Sequence, residues 1–199
     1  MATDVHSQPR YTKRLILRPF RRRDVASLDE AISASLEELQ PWLPWVENYD
    51  RGVSQRFVRE SVSAWAEKRA FDFTIRGIDD LDRHIGNVSI WPTSQQNSIG
   101  EVGYWIRSDE TAHGYGTEAT TRIVQVGFEE MGFHKVQLRI AVGNVRSDRI
   151  AQRLGFVQEG TLRDEVKVGN RWLDHTMWSM LEKEWWVQRD RHRAEGTIV

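Results

Sequence analysis

Thr111-Ala112-His113-Gly114-Tyr115-Gly116-Thr117-Glu118 joins a strand-like run, Glu101 to Ile106, to an amphipathic helix, and places two glycines just where that helix begins. Gly114 and Gly116 let the chain turn tightly, so successive N–H groups can converge on an anion such as a phosphate at the positive end of the helix. Taken alone, a Gly-x-Gly loop is also readable as two permissive residues and nothing more. A second feature follows the strand Lys135 to Val142: Asn144-Val145-Arg146-Ser147, then Ile150, Ala151, Leu154, Gly155 and Phe156. Arg146, Arg149 and Arg153 share helical spacing beside the loop, and either meet a phosphate or form a solvated face. Ser147 offers a hydroxyl for proton transfer, or, with Asn144 as N-cap, a partner for a free backbone donor. Glu101 and Glu165 are carboxylates able to accept a proton, and each also reads as a solvated strand residue.

These residues need elements to hold them. Leu15 to Phe20 reads as a first strand stopped by Pro19, and Asp24 caps a helix with Val25, Leu28 and Ile32 on one face. Pro41 and Pro44 constrain a loop that carries Trp42 and Trp45. Ser54 is placed to cap the next helix, with Phe57, Val58, Ser61, Val62 and Trp65 at helical spacing. The period then changes to two through Phe71, Phe73 and Ile75, through His84 to Trp91 and through Glu101 to Ile106, which predicts an antiparallel meander. A helix from Thr117 to Met131 ends at Gly132, and the strand after it implies a parallel crossover. Gly169-Asn170 marks a hairpin between Glu165 to Val168 and Trp172 to Leu181. Residues 1–187 are expected to form a single domain, with a mostly charged, frayed tail over 188–199.

Composition narrows the chemistry. The 199 residues are 39% hydrophobic and contain no run long enough to cross a bilayer. With no cysteine, disulfides and thiol nucleophiles are excluded, so any acyl group passes directly to its acceptor. The first ten residues lack the apolar core of a signal peptide, which makes the cytoplasm the expected location. A formal net charge of −1 gives no global field favouring nucleic acid or an anionic membrane, and neither is expected as a partner. The six histidines show no spacing that requires a metal, so no metal ligand is expected.

The stretch 111 to 116 resembles the Gln/Arg-x-x-Gly-x-Gly/Ala pyrophosphate loop of the GCN5-related N-acetyltransferases (GNAT), with Thr111 standing at the first position. Asn144 to Phe156 resembles their Asn-x-x-Ser…Leu-Gly-Phe segment. Arg14 to Phe20, Pro41 to Trp45, Ile85-Gly86, Glu101 to Ile106, Gly114 to Ala119 and Trp178 to Leu181 extend the resemblance to the Rim-type branch, which acetylates ribosomal-protein N-termini. It implies an α+β fold: a central, mostly antiparallel twisted sheet with one parallel, splayed strand pair, flanked by helices.

The resemblance further implies acetyl-CoA as co-substrate, with Ala112, His113, Gly114, Tyr115, Gly116 and Thr117 at its pyrophosphate and Asn144 and Arg149 nearby. Tyr104, Trp105 and Ile106 would face the thioester, and Ser147 would protonate the departing sulfur. Glu165, aligned with about a one-residue gap, is the implied base, and Glu101 the alternative. Trp42 and Trp45 would meet the acceptor, a protein N-terminal amine or, in similar enzymes, a small amine, antibiotic or toxin; the further alternative is a non-catalytic acyl-CoA-binding module, against which Ser147 and the nearly intact loop argue. His175 would make a structural hydrogen bond. Trp172, Trp178, Trp185 and Trp186 are more apolar surface than a short C-terminal region can bury, so a homodimer is expected.

Overall fold

Residues 8–196 are described by the computed structural model. Among these residues, eight strands form one sheet: β1 (Arg10–Tyr11), β2 (Leu15–Pro19), β3 (Phe71–Gly77), β4 (Gly86–Ser94), β5 (Ile99–Ile106), β6 (Lys135–Ala141), β7 (Val157–Val168) and β8 (Arg171–Leu181). Their order is β1-β2-β3-β4-β5-β6-β8-β7. All neighbours are antiparallel except β5 and β6. That parallel pair is short: Ile99, Gly100 and Glu101 face Lys135, Val136 and Gln137, and no pairing continues beyond them. β5 stays bound to β4 as far as Ile106, and β6 to β8 as far as Ala141. A wedge therefore opens between Val102–Ile106 and Leu138–Ala141, whose facing edges have no strand partner.

The period-two residues sort to two faces. Leu15, Leu17, Phe73, Ile75, Val88, Ile90, Val102, Val136, Leu138 and Met180 turn to the larger core, beneath α4 (Tyr115–Gln125) and α6 (Glu182–Ala194). The other face is covered by α1 (Val25–Ser33), α2 (Leu36–Leu39) and α3 (Arg51–Ala66), around Phe20, Leu28, Ile32, Val58 and Trp105. α4 widens into a π turn over Val126–Glu130, and α5 (Val145–Leu154) follows β6. Among the described residues, no helix is long and apolar enough to cross a membrane.

Three expectations are corrected. α3 starts at Arg51, capped by Asp50, whose side chain accepts from the Val53 N–H; Ser54 lies inside the helix, its hydroxyl 2.6 Å from that of Tyr49. Residues 188–194 are helical, because Trp185 and His192 fall at a spacing that buries both and Glu184 caps the first turn through the Leu181 N–H at 2.9 Å. The C-terminal tryptophans divide: Trp178 and Trp185 are buried, whereas Trp172 is 58% and Trp186 40% exposed.

Beneath α1 the sheet carries charge. Arg18 grips Asp24 with two bonds of 2.7 Å, and Arg76 reaches Asp24, the Ser27 hydroxyl and His84 Nδ1. Burial raises the Asp24 carboxyl, but bonds from Arg18 and the Arg21 N–H, with the charges of Arg18 and Arg76, hold it below the usual range. His84 stacks on Trp105 at 6.0 Å and lies 2.6 Å from Asn87 Oδ1. Burial, then the Arg76 charge, pushes its pKa down to about 3. His84 thus stays neutral in the fold while the unfolded chain takes up a proton below about 6.5. Stability should fall as pH drops from that value towards 3, by at most about 1.4 kcal/mol per unit from this residue. Urea unfolding of the wild type and His84→Gln at pH 7.5 and 5.0 should give a shallower pH dependence in the variant.

Candidate active site

β5 leaves the sheet at Arg107 and reaches α4 through a tight loop. Ala112 (φ +65°) and Gly114 (φ +82°) both adopt left-handed backbone, which costs the non-glycine residue about 1–3 kcal/mol. The loop is tied down from β2's leading end. Arg14 Nη1 donates to the His113 carbonyl at 3.0 Å, and Nε and Nη2 lie 2.7 and 2.6 Å from Glu118 Oε2. Glu118 Oε1 accepts from the Arg14 N–H at 3.0 Å and from the Thr12 hydroxyl at 2.5 Å. The same guanidinium lies 4.8 Å over the Tyr115 ring. The helical ladder starts with Glu118 N–H to Gly114 O, so the N–H groups of Tyr115, Gly116 and Thr117 precede it and are available to an anion.

α5 lies beside this loop. Asn144 Oδ1 accepts from the Ser147 N–H at 3.3 Å, so the asparagine is the N-cap and the serine hydroxyl is not spent on capping. A Cβ on Gly116 would lie 3.0 Å from Ile150 Cδ1 and 3.4 Å from Ile106 Cγ1, so α4, α5 and β5 meet there closely. Tyr104 OH lies 3.5 Å from the Ser147 carbonyl, and burial pushes its pKa up to about 12, which keeps the phenol protonated.

These groups border one cleft of about 430 Å³. Its walls include Tyr104, Trp105 and Ile106 of β5, Ala112, Gly114, Tyr115, Gly116 and Thr117 of the loop, Asn144, Ser147 and Arg149 of α5, and Trp42 across the opening. Trp42 also covers the turn before α5, since a Cβ on Gly143 would be 4.0 Å from its ring. Four residues singled out in the sequence are not among the walls. The His113 ring rests on Tyr115 at 5.6 Å, and Trp45 packs 6.4 Å from Trp105. Glu101 and Glu165 meet each other's partner instead: Arg139 Nε donates to Glu101 at 2.9 Å and Nη1 to Glu165 at 2.7 Å. Burial raises the Glu101 carboxyl above its usual value, partly offset by Arg139. Glu165 sits where β7 slips register between Leu162 and Val166, an irregularity consistent with the gap its alignment needs.

Sequence reading missed Arg139, Arg14 and Glu118. Each is an ordinary charged residue in its own element, and only the sheet register and the α4 packing bring the partners together. His175, expected to be structural, has Nδ1 3.4 Å from the Leu173 carbonyl.

The wedge, the loop with free amides and the capped α5 are the parts an acyl thioester requires, and residues 14–157 match the acetyltransferase (GNAT) domain. The chain belongs to the GNAT acetyltransferase family. It is accordingly an acyltransferase, an N-acetyltransferase of the GNAT fold, and its similarity runs to ribosomal-protein enzymes. YdaF of Bacillus subtilis (strain 168), named as a candidate ribosomal N-acetyltransferase, is 29% identical over 86% of this chain and 93% of its own length. The [ribosomal protein uS5]-alanine N-acetyltransferase of Escherichia coli (strain K12) is 23% identical over 87% of this chain and 91% of its own. Mycobacterium smegmatis RimJ, solved in complex with CoA-disulfide, superposes with a TM-score of 0.83 at 23% identity, over 96% of this chain and 94% of that one.

The GNAT loop here depends on Glu118 for its shape. Glu118→Gln should raise amide hydrogen exchange over the first bonded turn of α4, residues 118–121, by about ten- to a hundredfold, the value of one or two charge-assisted bonds. Unchanged exchange in a folded variant would show that the loop holds itself.

Proposed function

We propose that this GNAT enzyme uses acetyl-CoA and transfers the acetyl group directly to the α-amine of a protein N-terminus, such as that of a ribosomal protein. One observation carries the reading: the wedge, the free amides of the loop and the Ser147 helix all open onto a single cleft. Acetyl-CoA, when bound, supplies the activated thioester. The chain does the rest. The loop from Ala112 to Thr117 holds the pyrophosphate on backbone N–H groups, Arg149 adds a cation, and Asn144 hydrogen-bonds the pantetheine arm. A backbone N–H on the unpaired edge from Tyr104 to Ile106 donates to the carbonyl oxygen as it gains charge. Ser147 gives its hydroxyl proton to the departing sulfur, with the protonated Tyr104 beside it.

The acceptor nitrogen must arrive neutral. An α-amine, with an unperturbed pKa of roughly 7.7–8.0, needs little help near neutrality, whereas a lysine amine near 10.4 is almost wholly protonated. Glu165, Glu101 or an ordered water takes the proton, and Arg139 orients both carboxylates. Glu38 and Glu110, the acidic residues of the cleft wall, favour approach of a cationic amine. Trp42 meets the acceptor directly, and Trp45 supports the site through Trp105. The names of YdaF and the uS5 enzyme favour a protein acceptor over a small amine or antibiotic. A cytoplasmic homodimer completes the reading, with the exposed Trp172 and Trp186 as apolar surface available to a second copy.

Ser147→Ala should lower kcat by about ten- to a thousandfold and leave acetyl-CoA affinity nearly unchanged. Gly114→Val, which forces a β-branched residue into left-handed backbone, should abolish measurable CoA binding by calorimetry while the fold persists. Acceptor-dependent CoA release across N-terminal peptides, lysine peptides and small amines tests the acceptor. Exclusive activity on a small amine or antibiotic would reject the protein acceptor and keep the GNAT chemistry.

A further inference from the structure

β7 departs from regular pairing between Leu162 and Val166. Leu162 stands opposite His175 and Val166 opposite Leu173, so Arg163, Asp164 and Glu165 share the single partner position of Asp174. A bulge of this kind turns side chains to a face that alternation would not give them. Counting back from Lys167, which pairs with Trp172, Glu165 belongs to the face of Trp172, whereas Arg139 pairs with Met177 and belongs to the other. Glu165 nevertheless accepts from Arg139 Nη1 at 2.7 Å, and the same guanidinium holds Glu101 at 2.9 Å. The crossing is made at Asp164, whose φ of +49° is left-handed backbone, a conformation that a residue other than glycine adopts at a cost. A side chain of β8 fixes that turn: Asp174 Oδ1 accepts the Asp164 N–H at 2.8 Å. On its other side the Asp174 carbonyl accepts the Val142 N–H at 2.8 Å, two residues before Asn144, whose side chain caps the helix that carries Ser147. Asp174 thus lies between the bulge that presents Glu165 and the turn that presents Ser147.

We propose that Asp174 is a positioning residue for acetyl transfer: its carboxylate pins the β7 bulge and thereby aims Glu165 at Arg139, beside Glu101 at the apex of the wedge. The inference rests on the acetyl-transfer reading and selects Glu165 among the bases it allows. As the acceptor nitrogen bonds to the thioester carbon, its proton passes through water to Glu165, and the carbon–sulfur bond breaks as Ser147 protonates the sulfur. Without the pin, β7 can relax towards regular pairing, which returns Glu165 to the far face and leaves Arg139 on Glu101 alone. The cleft itself is untouched by that change, because neither Asp174 nor Glu165 is among its walls.

Steady-state kinetics on the full chain, with acetyl-CoA and N-terminal peptides, tests this in Asp174→Ala, Asp174→Asn, Glu165→Gln and the double variant Asp174→Ala/Glu165→Gln. Thermal unfolding checks the fold, and Asp174→Ser, one atom short of the Asp164 N–H, serves if the alanine variant does not fold. Asp174→Ala should lower kcat by about ten- to a hundredfold, the value of one charge-assisted bond, and leave acetyl-CoA binding and the peptide KM within about twofold. Glu165→Gln should lower kcat at least as far. Asp174→Asn keeps an oxygen facing the Asp164 N–H and should retain most of the rate. In the Glu165→Gln background the loss of the Asp174 carboxylate should cost nothing further, because both changes act through one group. A loss that repeats in full in that background, or no loss in Asp174→Ala, would overturn the positioning role. An unchanged kcat in Glu165→Gln would overturn it too and leave acetyl transfer standing with another base. No acetylation of any α-amine by the wild type would overturn both.

Discussion

β5 and β6 touch through three residue pairs and then part, and the rest of the active region depends on that limit. The paired end is fixed by packing: a Cβ on Gly100 would lie 2.2 Å from the Phe133 ring, so the aromatic sits directly on the backbone where the strands meet. The parted end is held open because each strand has a full ladder on its outer side, β4 for one and β8 for the other. Backbone edges without a partner are costly when dry, and a polar arm lying between them recovers the loss. Arg139 crosses from β6 to Glu101 of β5 at the last paired position and on to Glu165 of β7, joining three strands at the apex of the wedge.

Charge is distributed in the same spirit. Around the loop, Arg14 is spent on Glu118 and the His113 carbonyl, which leaves its neighbouring amides turned to the cleft. Beneath α1, Asp24 is held between the guanidinium groups of Arg18 and Arg76, and His84 remains uncharged against Trp105. Among the described residues, Arg146, Arg149 and Arg153 share one face of α5 and none makes an ion pair with a carboxylate.

Local signals in the sequence were legible. The glycine before α4, the Asn144 cap and the hairpin at Gly169-Asn170 impose backbone geometry over a few residues, and the alternating strands reveal the meander. Side-chain partners set by register were not legible. Arg139 alternates with Leu138 and Ile140 as any solvent-facing strand residue would, and nothing in that alternation names Glu101 or Glu165. Trp42 and Trp45 share a loop, yet the turn over Pro44–Val46 sends one to the cleft and the other against Trp105. The charged composition of the last helix hid the spacing of Trp185 and His192, which places both in the interior.

The segment matching the acetyltransferase domain ends at residue 157, but β8, the outer partner of β6, begins at Arg171. Beyond it, Gln188 of α6 lies against Gly155, and His192 Nε2 is 3.4 Å from the Leu154 carbonyl, at the end of α5. The support on the β6 side of the wedge thus comes from chain beyond the segment that the family model matches. Without the stretch after residue 157, β6 would lose its outer ladder and the end of α5 its cover, and the wedge would be left with one supported wall.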